Sequence, residues 1–237
     1  MLPTLFLCFL FPSEVKKEVV DPYHTLREAS VRIQATVAGT QPSSSSSASS
    51  VSVLHHHCGS GTVIQTSSQK TYILSCAHLV PRQQKLSTID VFFRKGKAHK
   101  ARIVAINYNL DLLLLVLEGY QHPATAKIAQ KDPFYTNLSV LRIGYPFGKA
   151  TQSCVFGKCR GDVWRSSSDK TVESLFYLLP SESGNSGGGI FHPETKELLG
   201  VVWGGTTVAG GHKADTTYAT RLKHLLEFVK VLEKEEK

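Results

Sequence analysis

The chain has 237 residues, of which 41% are hydrophobic, so it is long enough to bury a core without disulfide or metal support. Its 27 Lys and Arg residues exceed its 19 Asp and Glu residues and give a formal charge of +8. No dense basic run or nucleic-acid-binding motif accompanies this charge, and no apolar run is long enough for a transmembrane helix. We therefore expect a globular chain that does not bind nucleic acid and has no stable membrane span.

Residues 1–24 are interpreted as an N-terminal extension. They open on the apolar stretch MLPTLFLCFLFP, which has no basic segment before it and no clear cleavage site after it. A degenerate signal or anchor, a truncated start and a strand that packs on the domain are three open interpretations. The sequence therefore assigns no cellular compartment.

The next stretch predicts a strand followed by a polar loop. Val31 to Ala38 alternates apolar and polar residues, which is typical of a strand. The tract QPSSSSSASS, residues 41–50, cannot pack. Because only one short strand precedes it, we predict a long surface loop between the first two strands rather than a domain linker.

Three histidines and a cysteine follow at His55 to Cys58. Neighbouring residues of a strand point to opposite sides, so the three histidines cannot all face one ion. No second Cys/His pair with zinc spacing follows. We therefore predict neither a metal site nor a cofactor.

The chain has five cysteines, an odd number without a regular framework, which does not indicate a disulfide scaffold. Cys154 and Cys159 have a spacing compatible with a disulfide across a small hairpin around Gly157. Two unlinked thiols are the alternative.

Short runs with strand character recur through the rest of the chain. In the first half they lie at 61–65, 71–76, 89–94, 101–106 and 111–117, and in the second half at 138–143, 153–156, 174–179, 189–192, 198–203 and 216–219. The basic segment 95–102 is predicted as a solvated strand edge or loop. Short strands at close spacing with turn signals indicate a barrel or sandwich. After them, Leu222, Leu225, Leu226, Val229 and Leu232 share one helical face.

The stretch Ser181 to Phe191, SESGNSGGGIF, sets Ser186 among four glycines. Such a turn presents a hydroxyl to a cleft and lets backbone amides converge on one point. Upstream, His78 ends the apolar run TYILSCAHLV, and Asp111 begins the apolar run DLLLLVL. The chain order His, Asp, Ser is that of the chymotrypsin-type triad.

Five motifs in this order resemble the trypsin-like serine proteases, most closely their HtrA/Deg branch. They are GSGTVI at 59–64, ILSCAH at 73–78, LDLLLL at 110–115, IGYPFG at 143–148 and SGNSGGGIF at 183–191. The resemblance covers roughly residues 25–230. Gly189 stands where the family usually has proline, and Cys76 where a small or polar residue is usual.

The resemblance implies an all-β fold of two six-stranded antiparallel β-barrels and a C-terminal helix, without a PDZ domain. The protease domain would span residues 25–237. The first barrel would cover about 25–118, the second about 135–220, and the helix about 220–235.

The resemblance also implies a serine endopeptidase. Ser186 would attack the peptide carbonyl, His78 would act as general base, and Asp111 would orient the histidine. The amides of Gly184 and Ser186 would form the oxyanion hole. Proteins or peptides would be the substrates, and a homo-oligomer is compatible with the family. A catalytically silent pseudoprotease, a chaperone-like binding module and an esterase are the alternatives.

In trypsin-like proteases the base of the substrate pocket lies about six residues before the nucleophile, which here indicates Pro180 and Ser181. The opposite wall would come from Val202, Trp203 and Gly204. None of these is acidic, so we expect cleavage after aliphatic residues. Glu182 is the exception, because an inward-facing carboxylate there would favour Arg or Lys.

Overall fold

The structure, a computed structural model, describes residues 21–42, 50–67, 69–83, 85–94, 96–167, 170–207 and 213–235. The apolar N-terminal stretch and most of the serine-rich tract lie outside these residues. Within these residues there are three α-helices, α1 (His24–Ala29), α2 (Leu222–Val229) and α3 (Leu232–Glu235). The strands are β1 (Ser30–Pro42), β2 (Ser50–Ser67), β3 (Lys70–Ser75), β4 (Lys85–Phe92), β5 (Ala98–Lys100), β6 (Arg102–Asn107), β7 (Leu112–Glu118), β8 (Ser139–Gly144), β9 (Ser153–Ser167), β10 (Lys170–Glu182), β11 (Gly189–Phe191), β12 (Leu198–Thr207) and β13 (Lys213–Thr220).

The first half of the chain forms an antiparallel sheet in the order β5-β4-β1-β2-β3-β7-β6. Strands β1 and β2 pair from Ser30 opposite Thr62 to Pro42 opposite Ser50. The serine-rich tract therefore joins the first two strands, as predicted from its position.

The all-β trypsin-like architecture is confirmed, but this half differs in detail from a six-stranded barrel. Seven strands pair within the described residues, and the sheet is not closed. The additional strand is β5, which lies in the basic segment predicted as an edge or loop. It pairs with the end of β4, and Nζ of Lys100 lies 2.7 Å from Oδ1 of Asp90. A three-residue charged edge strand leaves little periodic signal in a sequence.

The second half forms a closed barrel in the order β10-β13-β12-β11-β8-β9. Strands β9 and β10 have 15 and 13 residues and are much longer than the short strands predicted there. Gly161 has a φ of 141° and lies where the register of the two strands shifts. A bulge of this kind lets a long strand bend around a barrel.

Cys154 and Cys159 both lie on β9, so the hairpin predicted around Gly157 does not exist. Residues five positions apart on a strand point to opposite faces and are separated by roughly 17 Å. Both side chains are free thiols, and a disulfide between them is excluded.

The two halves share one hydrophobic core. Leu141 and Ile143 of β8 and Phe191 of β11 pack with residues of the first sheet. A separate cluster fills the barrel and includes Tyr177. At the C-terminus, α2 buries Leu225 in the shared core and Leu222 in the barrel cluster, and α3 buries Leu232 in a third cluster with Tyr72 and Leu114. No helix in the described part of the chain has the length and apolarity of a membrane span.

Candidate active site

The three residues predicted to react lie at strand ends on the two halves. His78 lies in a 3-10 turn directly after β3. Asp111 lies in the turn between β6 and β7, and Ser186 in the turn between β10 and β11. Because Ser75 of β3 pairs with Leu113 of β7, the strand ends that carry His78 and Asp111 are adjacent.

Two hydrogen bonds join His78 to Asp111. Nδ1 of the imidazole lies 2.7 Å from Oδ2, and the backbone amide of His78 donates to Oδ1 at 2.8 Å. Asp111 has a φ of 56°, a left-handed conformation that aspartate tolerates better than most residues. Its side chain is only 7% exposed. With Nδ1 bound to a carboxylate, Nε2 is the acceptor nitrogen of the neutral imidazole.

Opposing effects set the charge of this imidazole. Burial disfavours the imidazolium, but the hydrogen bond to Asp111 and the contacts with Cys76 outweigh it and raise the pKa of His78 to about 10. Burial also raises the pKa of the Cys76 thiol, which is therefore uncharged at neutral pH. A neutral thiol stabilises a cation much less than a carboxylate does. We therefore attribute the upward shift of the His78 pKa mainly to Asp111.

The other ring nitrogen of His78 faces Cys76. Sγ lies 3.6 Å from Nε2. Among the hydrogen bonds of the described residues, none joins Nε2 to Oγ of Ser186. The structure thus brings two of the three predicted residues together, and it places Ser186 on the facing half without a bond to the histidine.

Ser60 of β2 holds the turn that carries Ser186. Its amide donates to the carbonyl of Ser186 at 2.7 Å, and its hydroxyl donates to the carbonyl of Gly184 at 2.7 Å. The same hydroxyl accepts a bond of 2.8 Å from the amide of Tyr145. Its carbonyl accepts a bond of 2.7 Å from the hydroxyl of Ser75. A single buried residue of the first half therefore fixes a turn of the second half.

Two glycines of this turn have positive φ, 90° for Gly184 and 84° for Gly187. A Cβ on Gly184 would lie 2.6 Å from the carbonyl oxygen of Tyr145, and one on Gly187 only 2.1 Å from that of Ser60. Backbone conformation and space both exclude a side chain at these positions.

The backbone amides around Ser186 divide into two groups. Those of Asn185, Gly187 and Gly188 donate to carbonyl oxygens at 2.7 to 3.1 Å. Those of Gly184 and Ser186 donate no hydrogen bond to any described residue. These two amides are available to an oxygen atom that enters the cleft.

Arg165 of β9 is a site residue that the sequence reasoning missed. Its Nη1 lies 3.4 Å from Oδ2 of Asp111, and its Nη2 donates to the carbonyl of Asn109 at 2.5 Å. Its Cζ lies 4.7 Å from the ring centre of Trp203. Arg165 therefore connects the carboxylate beside His78 to β12. It lies far from Asp111 in the chain and in no recognisable motif, so no sequence signal marks it.

The residues predicted at the base of a substrate pocket end strand β10. Pro180 is exposed, whereas Ser181 is 7% exposed. Glu182 is half-buried, and its charge acts on the buried guanidinium of Arg142. The carboxylate considered as a partner for a basic substrate therefore already interacts electrostatically with a cation of the protein, without a direct bond to it among the described residues.

The predicted wall of the pocket lies on β12. The side chain of Val202 is buried in the barrel core, so this residue borders the site through its backbone. Trp203 is half-buried, stacks on Tyr218 with ring centres 5.1 Å apart, and donates from Nε1 to Oγ of Ser174 at 3.2 Å. A Cβ on Gly204 would meet open space.

A closed six-stranded barrel beside an open antiparallel sheet is the architecture of the chymotrypsin class of fold. Residues 59–201 match the trypsin-like peptidase domain family. This match covers more than half of the chain, which therefore belongs to the trypsin-like peptidase family.

Similar proteins come from the HtrA group. The chain is 26% identical over 199 residues to the serine protease Do-like HtrA of Bacillus subtilis (strain 168), covering 81% of this chain and 43% of that protein. It thus spans less than half the length of that relative.

Solved structures share the fold at low sequence identity. The HtrA-type protease AlgW with a decapeptide has a TM-score of 0.70 and 18% identity, covering 90% of this chain and 66% of that chain. The protease Rv3671c from M. tuberculosis in its active form has a TM-score of 0.64 and 21% identity, covering 85% of this chain and 79% of that chain.

Proposed function

We propose that this chain is a serine endopeptidase that acts through an acyl-enzyme on Ser186. Two observations support the proposal: His78 is hydrogen-bonded to Asp111, and the amides of Gly184 and Ser186, on the fixed turn that carries the serine, donate to no acceptor among the described residues. A serine hydroxyl is a weak nucleophile and needs a base that a third group orients. Membership of the trypsin-like peptidase family supports this assignment of the residues.

In the first step, Oγ of Ser186 attacks the substrate carbonyl carbon while Nε2 of His78 accepts the hydroxyl proton. Asp111 keeps Nδ1 protonated and stabilises the imidazolium that forms. This step requires the imidazole to leave Cys76 and approach Ser186. Catalytic hydrogen bonds are often long in unliganded enzymes and tighten when the substrate binds.

The negative oxygen of the tetrahedral intermediate would accept bonds from the amides of Gly184 and Ser186. Loss of one such donor typically costs about 100-fold or more in rate. The imidazolium then returns its proton to the leaving amine. Water, activated by the same imidazole, releases the acyl group and restores Ser186.

The second candidate is a catalytically silent peptide-binding module on the same fold. The contact between Nε2 of His78 and Cys76 favours it, because this contact directs the base away from the nucleophile. Peptides or proteins are the ligands that both proposals require, and AlgW, with a similar fold, was solved with a decapeptide. A homo-oligomer remains a prediction that light scattering would test.

Covalent labelling with a fluorophosphonate, alongside cleavage of an unfolded protein, separates the two candidates. We expect the wild-type chain to be labelled on Ser186 and to cleave the substrate. Ser186→Ala and His78→Ala should abolish cleavage, because these residues act as a unit. Ser183→Ala, which changes an exposed serine of the same turn, is the matched control and should keep activity.

Absence of both label and cleavage in a folded protein that still binds peptides would favour the silent module. Cys76→Ala is then informative, because removal of the thiol frees Nε2. Labelling that appears only in this variant would identify Cys76 as the cause of the silence.

A further inference from the structure

Arg142 is a cation inside the barrel. It lies on β8 between Leu141 and Ile143, whose side chains pack towards the first sheet. Strand alternation therefore directs Arg142, like Val140, into the barrel interior. It is 1% exposed and is among the largest fully buried side chains in the described part of the chain.

The guanidinium of Arg142 has too few acceptors. Nη2 donates to Oγ of Ser153 at 3.2 Å, whereas Nε and Nη1 are buried and have no partner among the described residues. Burial lowers the pKa of Arg142 to about 10, partly opposed by the charge of Glu182, so the group is still a cation at neutral pH. Glu182 accepts no hydrogen bond from the Arg142 guanidinium in the described structure. Burial of a cation without a bonded anion destabilises the folded state. We therefore expect a functional role or a binding partner that compensates for this destabilisation.

The guanidinium lies towards the C-terminal end of β8, the end that approaches the turn with Ser186. Its partner Ser153 pairs with Gly144, the last residue of β8. A Cβ on Gly144, which would point to the same side as Arg142, would lie 2.8 Å from Oδ1 of Asn185. Asn185 is the residue before the nucleophile, so Arg142 reaches the level of the nucleophile turn.

Asn185, like Arg142, has buried polar atoms without hydrogen-bond partners among the described residues. It is 0% exposed, and neither Oδ1 nor Nδ2 has a hydrogen-bond partner among the described residues. Two buried polar side chains with unpaired groups therefore lie at the same end of the barrel, and Ser181, predicted at the pocket base, is buried as well. Buried polar groups are nearly always bonded, so this cluster indicates a missing acceptor.

We propose that Arg142 and Asn185 bind the side-chain carboxylate of a substrate glutamate or aspartate, so that the protein cleaves after acidic residues. This inference rests on the proposed function, because it assigns the substrate of the same nucleophile. A carboxylate supplies acceptors for the free guanidinium N–H groups and for the side-chain Nδ2 of Asn185, and it neutralises the buried cation. It also replaces the expectation of aliphatic specificity, which considered only residues near Ser186 in sequence and the β12 wall.

Matched fluorogenic peptides that differ only in the residue before the cleaved bond test this proposal. We expect kcat/KM for Glu to exceed that for Gln by about 100-fold or more, since a site built for a polar partner rejects an analogue that leaves its groups unpaired. Arg142→Met should reduce this ratio to near one. Methionine matches the length and volume of the stem without the charge, and such replacements of buried ions often preserve the fold. Equal or better cleavage after Leu or Val by the wild-type protein would overturn the proposal.

Arg160→Met is the control variant, because Arg160 lies on the neighbouring strand and is exposed. It should keep the wild-type preference, and circular dichroism should report folded protein for both variants. If Arg142→Met does not fold, the wild-type comparison of Glu with Gln still decides the question.

A second measurement separates this inference from the proposed function. Ser186→Ala protein should bind peptides that end in glutamate amide more tightly than those that end in glutamine amide, by fluorescence anisotropy. Discrimination in binding without any hydrolysis by the wild-type chain would refute the peptidase and retain the carboxylate site. Hydrolysis with fluorophosphonate labelling but without acidic preference would refute only the carboxylate site.

Discussion

Two buried charged residues, Asp111 before β7 and Arg142 on β8, are treated differently by the fold. The Asp111 carboxylate receives two bonds from His78 and an ion pair from Arg165. Among the residues that the structure describes, the Arg142 guanidinium has one hydrogen bond, to Ser153. A charge whose partners are all supplied by the protein is a fixed part of the machinery. A charge whose partners are missing is ready for a ligand.

Asp111→Asn should cause the largest loss of activity among the variants that test this comparison. An amide in place of the carboxylate favours the wrong imidazole tautomer and no longer stabilises the imidazolium. We expect kcat to fall by about 10⁴-fold, the size of this effect in a chymotrypsin-type triad. Steady-state hydrolysis measures it, with Asp132→Asn at an exposed ion pair as control. A loss of less than tenfold would contradict the role of Asp111.

Ser60→Ala should be next in size, because it removes the bridge between the two halves. The Gly184 carbonyl loses a donor, and the Tyr145 amide loses its acceptor. We expect kcat to fall by about 100-fold through the oxyanion amides. Unfolding should also become easier by about 1–3 kcal/mol, from an unpaired buried amide. Ser87→Ala on the exposed side of β4 is the matched control. Unchanged kcat and stability would show that the bridge is dispensable.

The pH dependence of kcat/KM tests how strongly the surroundings of His78 stabilise its protonated form. The sequence alone predicts a rate that rises between about pH 6 and 8 from an ordinary imidazole. Because the hydrogen bond to Asp111 and the contacts with Cys76 raise the pKa of His78 to about 10, the neutral base accumulates only at higher pH. The rising limb of kcat/KM should therefore extend into the alkaline range. An acidic optimum would contradict His78 as the base.

Arg165→Met should shift this limb further. Removal of a cation beside Asp111 leaves its charge free to stabilise the imidazolium, so the pKa of His78 should rise further. Arg165→Lys keeps the charge and should give a smaller shift. Equal profiles for both variants and the wild type would limit Arg165 to packing against Trp203.

Glu182→Gln should change activity least. It tests the Arg142 side of the comparison, because it removes a negative charge that acts on Arg142. The carboxylate competes with the substrate for Arg142, so its removal should raise kcat/KM for substrates with Glu by a few-fold, roughly the size of a partly exposed charge effect. Hydrolysis of the matched peptides measures this. If the wild type instead prefers Arg or Lys and the variant loses that preference, Glu182 supplies a substrate-binding charge as the sequence suggested.

Local signals allowed the sequence to predict where His78, Asp111 and Ser186 lie. An apolar run ends or begins at each of the first two, and four glycines surround the third. Ser60, Arg165 and Arg142 escaped prediction because their roles depend on contacts between distant strands. Arg142 also breaks the rule that barrel interiors are apolar, so no hydrophobic pattern points to it.

Strand lengths in the second half were also beyond local reasoning. Gly157 and Gly161 interrupt the alternation of β9, and each resembles a turn in sequence. Pairing of β9 with β10 and the bulge at Gly161 continue the strand through both. Tertiary pairing therefore overrode the local preference, and the predicted hairpin with its two cysteines disappeared.

The bridge at Ser60 has a consequence for dissecting the chain. The connection at about residues 119–138 separates Ser60, His78 and Asp111 from Ser186. A cut there would yield two fragments. Each would carry only some of the reacting groups and one side of the bridge at Ser60. Hydrolysis would then return only when the fragments recombine and the Ser60 hydroxyl again donates its hydrogen bond to the Gly184 carbonyl. Recovered hydrolysis would therefore report complementation between the two halves.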